Sequence, residues 1–164
     1  KKNRSVRIGY NVLLLFEDYE TIKYQVQEML RIEKIFKGKE VQEEIDAYKA
    51  LIPDGNNLKA TMLIMYSDVK ERKVMLNRLC DLENNVWLTI DNSKRIFAVS
   101  DEDLERSRDE KTSAVHFLRF QLDDIQKNLF KKSKNIIFGV DHKEYNLMTE
   151  LDELTIDSLS KDLE

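Results

Sequence analysis

Lys111-Thr-Ser-Ala-Val-His-Phe-Leu-Arg-Phe-Gln-Leu122 is the stretch whose reading decides the architecture. Val115, Phe117 and Phe120 favour extended backbone. A period of two then sends Ala114, His116, Leu118 and Phe120 to one face, and Val115, Phe117, Arg119 and Gln121 to the other. The first face is apolar apart from His116, which suits a central strand that other elements pack against.

Outward from that strand, both directions give recognisable elements. Asp124 to Lys132 reads as a short helix, and Asn135-Ile-Ile-Phe-Gly-Val-Asp141 as a further strand. On the other side, Val86 to Ile90 and Arg95 to Val99 are two short strands joined by Asp91-Asn-Ser-Lys94 as a hairpin. Asp68 with Glu71 forms a capping box that opens a helix to about Leu82, with Val69, Leu76, Leu79 and Cys80 inside. Leu58, Ala60, Met62, Ile64 and Tyr66 alternate as a strand, entered from the turn Pro53-Asp-Gly-Asn-Asn57.

The first fifty residues supply two helices. Val12-Leu-Leu-Leu-Phe16 is a short buried strand, and Asp18 caps a helix from Tyr19 to about Phe36. Ile22, Val26, Met29, Leu30 and Phe36 form its buried stripe, and Gly38 breaks it. The second helix points Val41, Ile45 and Tyr48 inward and ends before Pro53. This order predicts an α+β fold: a mostly antiparallel sheet of about five strands, helices on one face and two N-terminal helices. It is compatible with a ferredoxin-like arrangement. Residues 1–146 are expected to form one α+β domain. Residues 147–164 would be an acidic amphipathic tail, with Leu147, Leu151 and Leu154 at helical spacing.

Composition narrows the function classes. The chain has 164 residues, 41% hydrophobic and 35% charged, with one proline and four glycines, which suits one compact domain without a long linker. No apolar run approaches the ~18 residues of a membrane span. Lys1-Lys-Asn-Arg4 lacks the hydrophobic stretch of a signal peptide. Cys80 is alone, which excludes an internal disulfide and a cysteine-ligated cluster and fits a cytoplasmic setting. A net charge of -4 and a pI near 5.4 argue against nucleic acid as the main partner. The basic knot at Lys131-Lys-Ser-Lys134 suits a helix C-terminus.

Three groups of residues invite a chemical reading. The run Asp101 to Lys111 opens like a calcium loop, but Arg106 replaces the mid-loop glycine and Thr112 the closing glutamate. Ser100 capping a short, exposed, charged helix is the expected outcome there. Glu28, Arg31 and Glu33 do not make a di-iron site, because no Glu-x-x-His pair accompanies them. An intrahelical Glu28–Arg31 ion pair is expected instead. The two histidines are the stronger group. If the strands of His116 and His142 are neighbours, both imidazoles with Asp141 would make a ligand set for Zn or Fe, and Arg119 would offer an anion clamp.

Several stretches together resemble one bacterial family. They are Leu14-Leu-Phe-Glu17, Tyr24-Gln-Val-Gln-Glu-Met-Leu-Arg-Ile-Glu33, Leu51-Ile-Pro-Asp-Gly55 and Leu58-Lys-Ala-Thr61. Further on come Val86-Trp87, Ser100-Asp-Glu-Asp-Leu-Glu105, Glu110 to Phe120 and Gly139-Val-Asp-His142. The chain is similar over residues 7 to about 145 to the domain-of-unknown-function family 3501. The resemblance implies a genomic setting beside rubrerythrin-type proteins and iron–sulfur oxidoreductases. It therefore implies an accessory or adaptor protein in peroxide-linked redox metabolism, without an iron–sulfur cluster of its own. The alternative from the residues is a small metal- or anion-binding enzyme using His116, His142 and Asp141.

Overall fold

In the computed structural model, residues 2–103, 105–108 and 111–164 are described. Two antiparallel sheets enclose one hydrophobic core, so the fold is α+β. The chain opens with the hairpin β1 (Ser5–Ile8) and β2 (Val12–Glu17), turning at Gly9, whose φ of 69° is left-handed. Two helices follow, α1 (Tyr19–Glu33) and α2 (Gly38–Lys49), which pack on each other. Asp18 caps α1 by accepting from the Thr21 amide at 2.8 Å, as its position predicts. The helix stops short of Phe36 because Lys34 takes a left-handed conformation (φ 54°).

Strand β3 (Asn57–Ile64) then lies beside β2, and β9 (Val115–Gln121) beside β3. Between them in sequence come α3 (Val69–Arg78), a 3-10 turn (Leu82–Asn85), and the strands β4 (Val86–Ile90), β5 (Ile96–Phe97) and β6 (Val99–Ser100). A small ribbon, β7 (Ser107–Arg108) with β8 (Lys111–Thr112), leads into β9. The remaining elements are α4 (Asp124–Lys132), β10 (Ile136–His142), β11 (Tyr145–Glu150) and α5 (Glu153–Ser160).

The first sheet has the order β1-β2-β3-β9-β6 and the second β11-β10-β4-β5. The five-strand count expected from sequence fits the first sheet, but the strands divide between two. Every pairing inside both sheets is antiparallel, whereas a ferredoxin-like arrangement needs a parallel pair at its centre. Three rings join the layers: Phe138 of β10 meets Phe16 of β2 at 5.3 Å and Phe120 of β9 at 5.2 Å between centroids. The predicted inner face of β9 is confirmed, with His116, Leu118 and Phe120 buried. The outer face of the five-stranded sheet is covered by the α1–α2 pair only in part.

The expected boundary at 146/147 is crossed by β11, which pairs residue by residue with β10. The helical spacing of Leu147, Leu151 and Leu154 therefore misleads: Leu147 and Leu154 are exposed, and Leu151 is buried at the end of a strand. Beyond it, Ile156, Leu159 and Leu163 enter the common core. Arg4 fastens this end to the start of the fold. Its guanidinium donates to the Phe16 and Glu17 carbonyls, both at 3.1 Å, to Ser158 O at 3.2 Å and to Asp162 Oδ2 at 2.5 Å.

Candidate functional site

The alternation of β9 builds two different environments, one on each side of the sheet. On the inner side, His116 is fully buried. Its Nδ1 lies 2.6 Å from Asp101 Oδ2, and its Nε2 lies 2.8 Å from Thr112 Oγ1 and 2.9 Å from the Ser113 carbonyl. Thr112 in turn donates to Glu83 Oε2 at 3.1 Å. Glu83 and Thr112 are buried like His116, whereas Asp101 is only partly so and forms the rim of the cluster. Ligand-type atoms of Glu83, Asp101 and His116 lie within 4.8 Å of one another, the grouping among the described residues that could hold a metal ion. Its ring nitrogens are occupied by hydrogen-bond partners, with Asp101 placed as the carboxylate that orients an imidazole. Asp101 and Glu83 are also the counter-charges for the ring when it is protonated.

Asp101 owes its position to a turn rather than to a helix. Its φ of 48° is left-handed, a conformation that aspartate tolerates better than most residues. Its amide donates to Phe117 O at 2.8 Å, and its Oδ1 accepts from Phe117 N at 3.0 Å, so both backbone groups of Phe117 are satisfied at the sheet edge. The short charged helix expected after Ser100 does not form over 101–103 or 105–108. The acids there find buried or basic partners that an exposed helix would not offer. Leu104, Asp109 and Glu110 of that run lie outside the described residues.

On the outer side, the same loop is held by arginines. Arg119 donates to both oxygens of Glu102, at 2.9 and 2.8 Å, and to Gln121 Oε1 at 2.6 Å. This pairing holds the Glu102 carboxyl below the usual carboxylate range. Arg106 grips Asp103 with two bonds of 2.5 and 2.7 Å, reaches Asp101 Oδ1 at 3.2 Å, and stacks 4.6 Å above the Phe117 ring. The result is a fixed wall beside the outer face of β9.

Opposite this wall stands α2, and between them is an open cavity of about 620 Å³. Tyr48 and Leu51 line it from the α2 side, Lys59 and Thr61 from β3, Phe117 and Arg119 from β9, and Glu17 from β2. That volume lies within the range of small-molecule and side-chain pockets. Glu17 is the buried charged group of the lining, 5% exposed. Its carboxylate accepts from Thr21 Oγ1 at 2.5 Å, Thr61 Oγ1 at 3.0 Å and Gln25 Nε2 at 3.1 and 3.2 Å.

The profile of the family described as "Protein of unknown function (DUF3501)" matches residues 1–163. The chain belongs to the DUF3501 family. A crystal structure of a novel protein of unknown function from Burkholderia pseudomallei K96243 superposes with a TM-score of 0.93 at 47% identity. That match covers 100% of this chain and 86% of the other. No curated protein matches the sequence at a significant level.

The other residues singled out in this DUF3501 chain are dispersed. His142 is on β10, in the four-stranded sheet, so its strand and that of His116 are not neighbours. Its Nδ1 accepts from the Glu144 amide at 3.1 Å, which leaves Nε2 as the protonated atom facing the Cys80 carbonyl at 2.9 Å. Asp141, adjacent in sequence, projects to the other face and pairs with Arg95 at 3.0 Å. Arg95 lies over the Trp87 ring, 4.2 Å from its centroid. His116, His142 and Asp141 are thus not brought into one ligand set, because strand period and sheet membership separate them. Glu28 and Arg31 make the expected exposed ion pair at 2.8 Å, and Glu33 is exposed on the same helix. No helix among the described residues is long and apolar enough to cross a membrane.

Sequence reasoning missed Glu83, Asp101, Thr112 and Glu17. Asp101 and Thr112 flank β9 and lie within the charged run and its end, and Glu17 ends an apolar strand. An acid closing Leu13-Leu-Leu-Phe16 was the available signal for a buried carboxylate.

Proposed function

We propose that this protein is a non-catalytic accessory or adaptor protein, and that the outer-face cavity between α2 and β9 is its binding site. The observation that supports this reading is a contrast of access. The buried histidine and its partners, Glu83, Thr112 and His116, are sealed in the core. The open cavity is instead lined by apolar groups, by the Arg119–Glu102 pair and by a Glu17 carboxylate whose oxygens are already hydrogen-bonded. Such a site is suited to holding a group rather than transforming it. Segments that carry the family resemblance, around Glu17, Lys59 to Thr61, Glu102 and Phe117, contribute its lining.

The genomic setting implied by the family suggests the partner class: a rubrerythrin-type protein or an iron–sulfur oxidoreductase, in a cytoplasmic, peroxide-linked system. With one cysteine, the chain would serve such a system by binding and not by carrying a cysteine-ligated cluster. The test is co-sedimentation of the purified chain with each candidate partner. Complex formation that is lost in a folded Tyr48→Ala, Phe117→Ala variant supports the cavity as the docking site. No complex with either partner class sinks the redox assignment.

A further inference from the structure

We propose that the outer-face cavity receives a basic side chain, lysine or arginine, presented by the partner, with Glu17 as its counter-charge. The inference rests on the binding-protein reading above and adds the chemistry of the bound group. A buried carboxylate is costly unless its charge is matched. Among the described residues, the side-chain donors that reach Glu17 (Thr21, Gln25 and Thr61) are neutral. No described lysine or arginine forms an ion pair with it. The carboxylate is therefore hydrogen-bonded but not neutralised.

The two basic residues of the cavity are committed elsewhere. Arg119 closes on Glu102 and Gln121, and Lys59 donates from Nζ to the Ala50 carbonyl at 2.5 Å, beside the end of α2. Of the four carboxylates in the lining, Glu102 is matched by Arg119 and Asp103 by Arg106, which leaves Glu17 and Glu44 against the single Lys59 ammonium. The α2 wall is negative as well: burial, then Glu44 and Glu33, raise the Tyr48 hydroxyl above its usual range. The Tyr48 ring adds an aromatic surface of the kind that favours a desolvated cation. The remaining excess of negative charge favours a cation, and the concave shape favours an inserted side chain over a broad, flat basic surface.

The experiment is amide NMR on the full chain with capped tripeptides, Ala-Arg-Ala, Ala-Lys-Ala, Ala-citrulline-Ala and Ala-Asp-Ala. Shifts at Thr61, Phe117 and Tyr48 are expected with the arginine or lysine peptide and weaker by about tenfold or more with the neutral isostere. Glu17→Gln should lower the affinity by a similar factor while keeping the native spectrum. Lys59→Met, which removes a nearby cation, should strengthen binding, and this variant decides the matter if Glu17→Gln does not fold. Equal binding of the citrulline peptide, preference for the aspartate peptide, or indifference to both variants overturns the cation assignment but leaves the cavity as a binding site. Spermidine bound more tightly than either basic peptide, with the same Glu17 dependence, would overturn a partner side chain in favour of a free amine. Failure of the Tyr48→Ala, Phe117→Ala variant to weaken partner binding is instead a failure of the docking reading.

Discussion

His116 and Arg119, three residues apart on β9, hold adjacent acids of one loop from opposite faces of the sheet. His116 takes Asp101 on the core side at 2.6 Å, and Arg119 takes Glu102 on the outer side at 2.8 Å. The buried cluster is therefore the anchor of the cavity wall. Loss of the anchor should be felt first in that loop. We expect His116→Ala to cost about 2–5 kcal/mol, since it removes the ring that bonds Asp101 Oδ2 and Thr112 and leaves a void in the core. Urea denaturation measures the loss, and hydrogen exchange at the Phe117 amide, bonded to Asp101, should accelerate most. A variant of wild-type stability would contradict the anchoring role.

The Glu102–Arg119 pair predicts a pH response. Its hydrogen bond to Arg119 depresses the Glu102 carboxyl in the folded chain. A depressed folded value means that the pair contributes above the ordinary carboxylate range and is lost as pH falls through the lowered value. In a carboxyl-carbon NMR titration, Glu102 should lose its charge at lower pH than solvated glutamates. Arg119→Ala should return it to the ordinary range; an unchanged titration would refute the pairing.

Gly139 is expected to resist substitution. A Cβ placed there would lie 2.3 Å from Cζ2 of Trp87, a rigid ring pinned under Arg95. Gly139→Ala should destabilise by about 1–3 kcal/mol through overpacking. Thermal melting that shows no change would mean that the indole is free to move aside.

Arg4 should be among the more costly surface-proximal residues to remove. Arg4→Ala removes a donor from the Phe16 and Glu17 carbonyls and strands Asp162, whose carboxyl is already pushed up by burial. We expect a loss of about 3 kcal/mol, with α5 exchanging its amides faster than β9 does. Uniform loosening of both elements would argue against a local clasp.

Metal uptake offers a clean separation of the two histidines. Any zinc or iron bound by the chain should depend on His116 and persist in His142→Ala, because His116 has the Glu83 and Asp101 carboxylates beside it and His142 lies outside that grouping. Mass spectrometry of both variants, prepared without a histidine tag, reads this directly. Loss of metal in His142→Ala would reopen the paired-histidine site.

Much of the fold was legible because local signals and packing agree. Asp18 and Asp68 cap their helices as their positions predict, and the alternation in β9 reports its two faces. The split into two sheets was not legible, since period two gives a strand its faces but not its neighbours. The strand β1 was overlooked because Val6 and Ile8 are only two apolar positions beside a basic start. For the site, Arg119 was placed on the correct face, but its carboxylate partner lay in a segment read as a helix. His116 and His142 looked alike in sequence; only sheet membership distinguishes an anchor from a strand-end clip.

Trp87, the one tryptophan of the chain, sits on the face of the four-stranded sheet turned away from the core, 4% exposed, its Nε1 without a hydrogen-bond partner among the described residues. It is thereby an intrinsic optical reporter of that sheet alone. Its emission should follow the dissolution of β4 and β10, yet stay silent while a group enters or leaves the cavity behind β9. One chromophore can then serve as an internal standard for integrity during any titration of the other side.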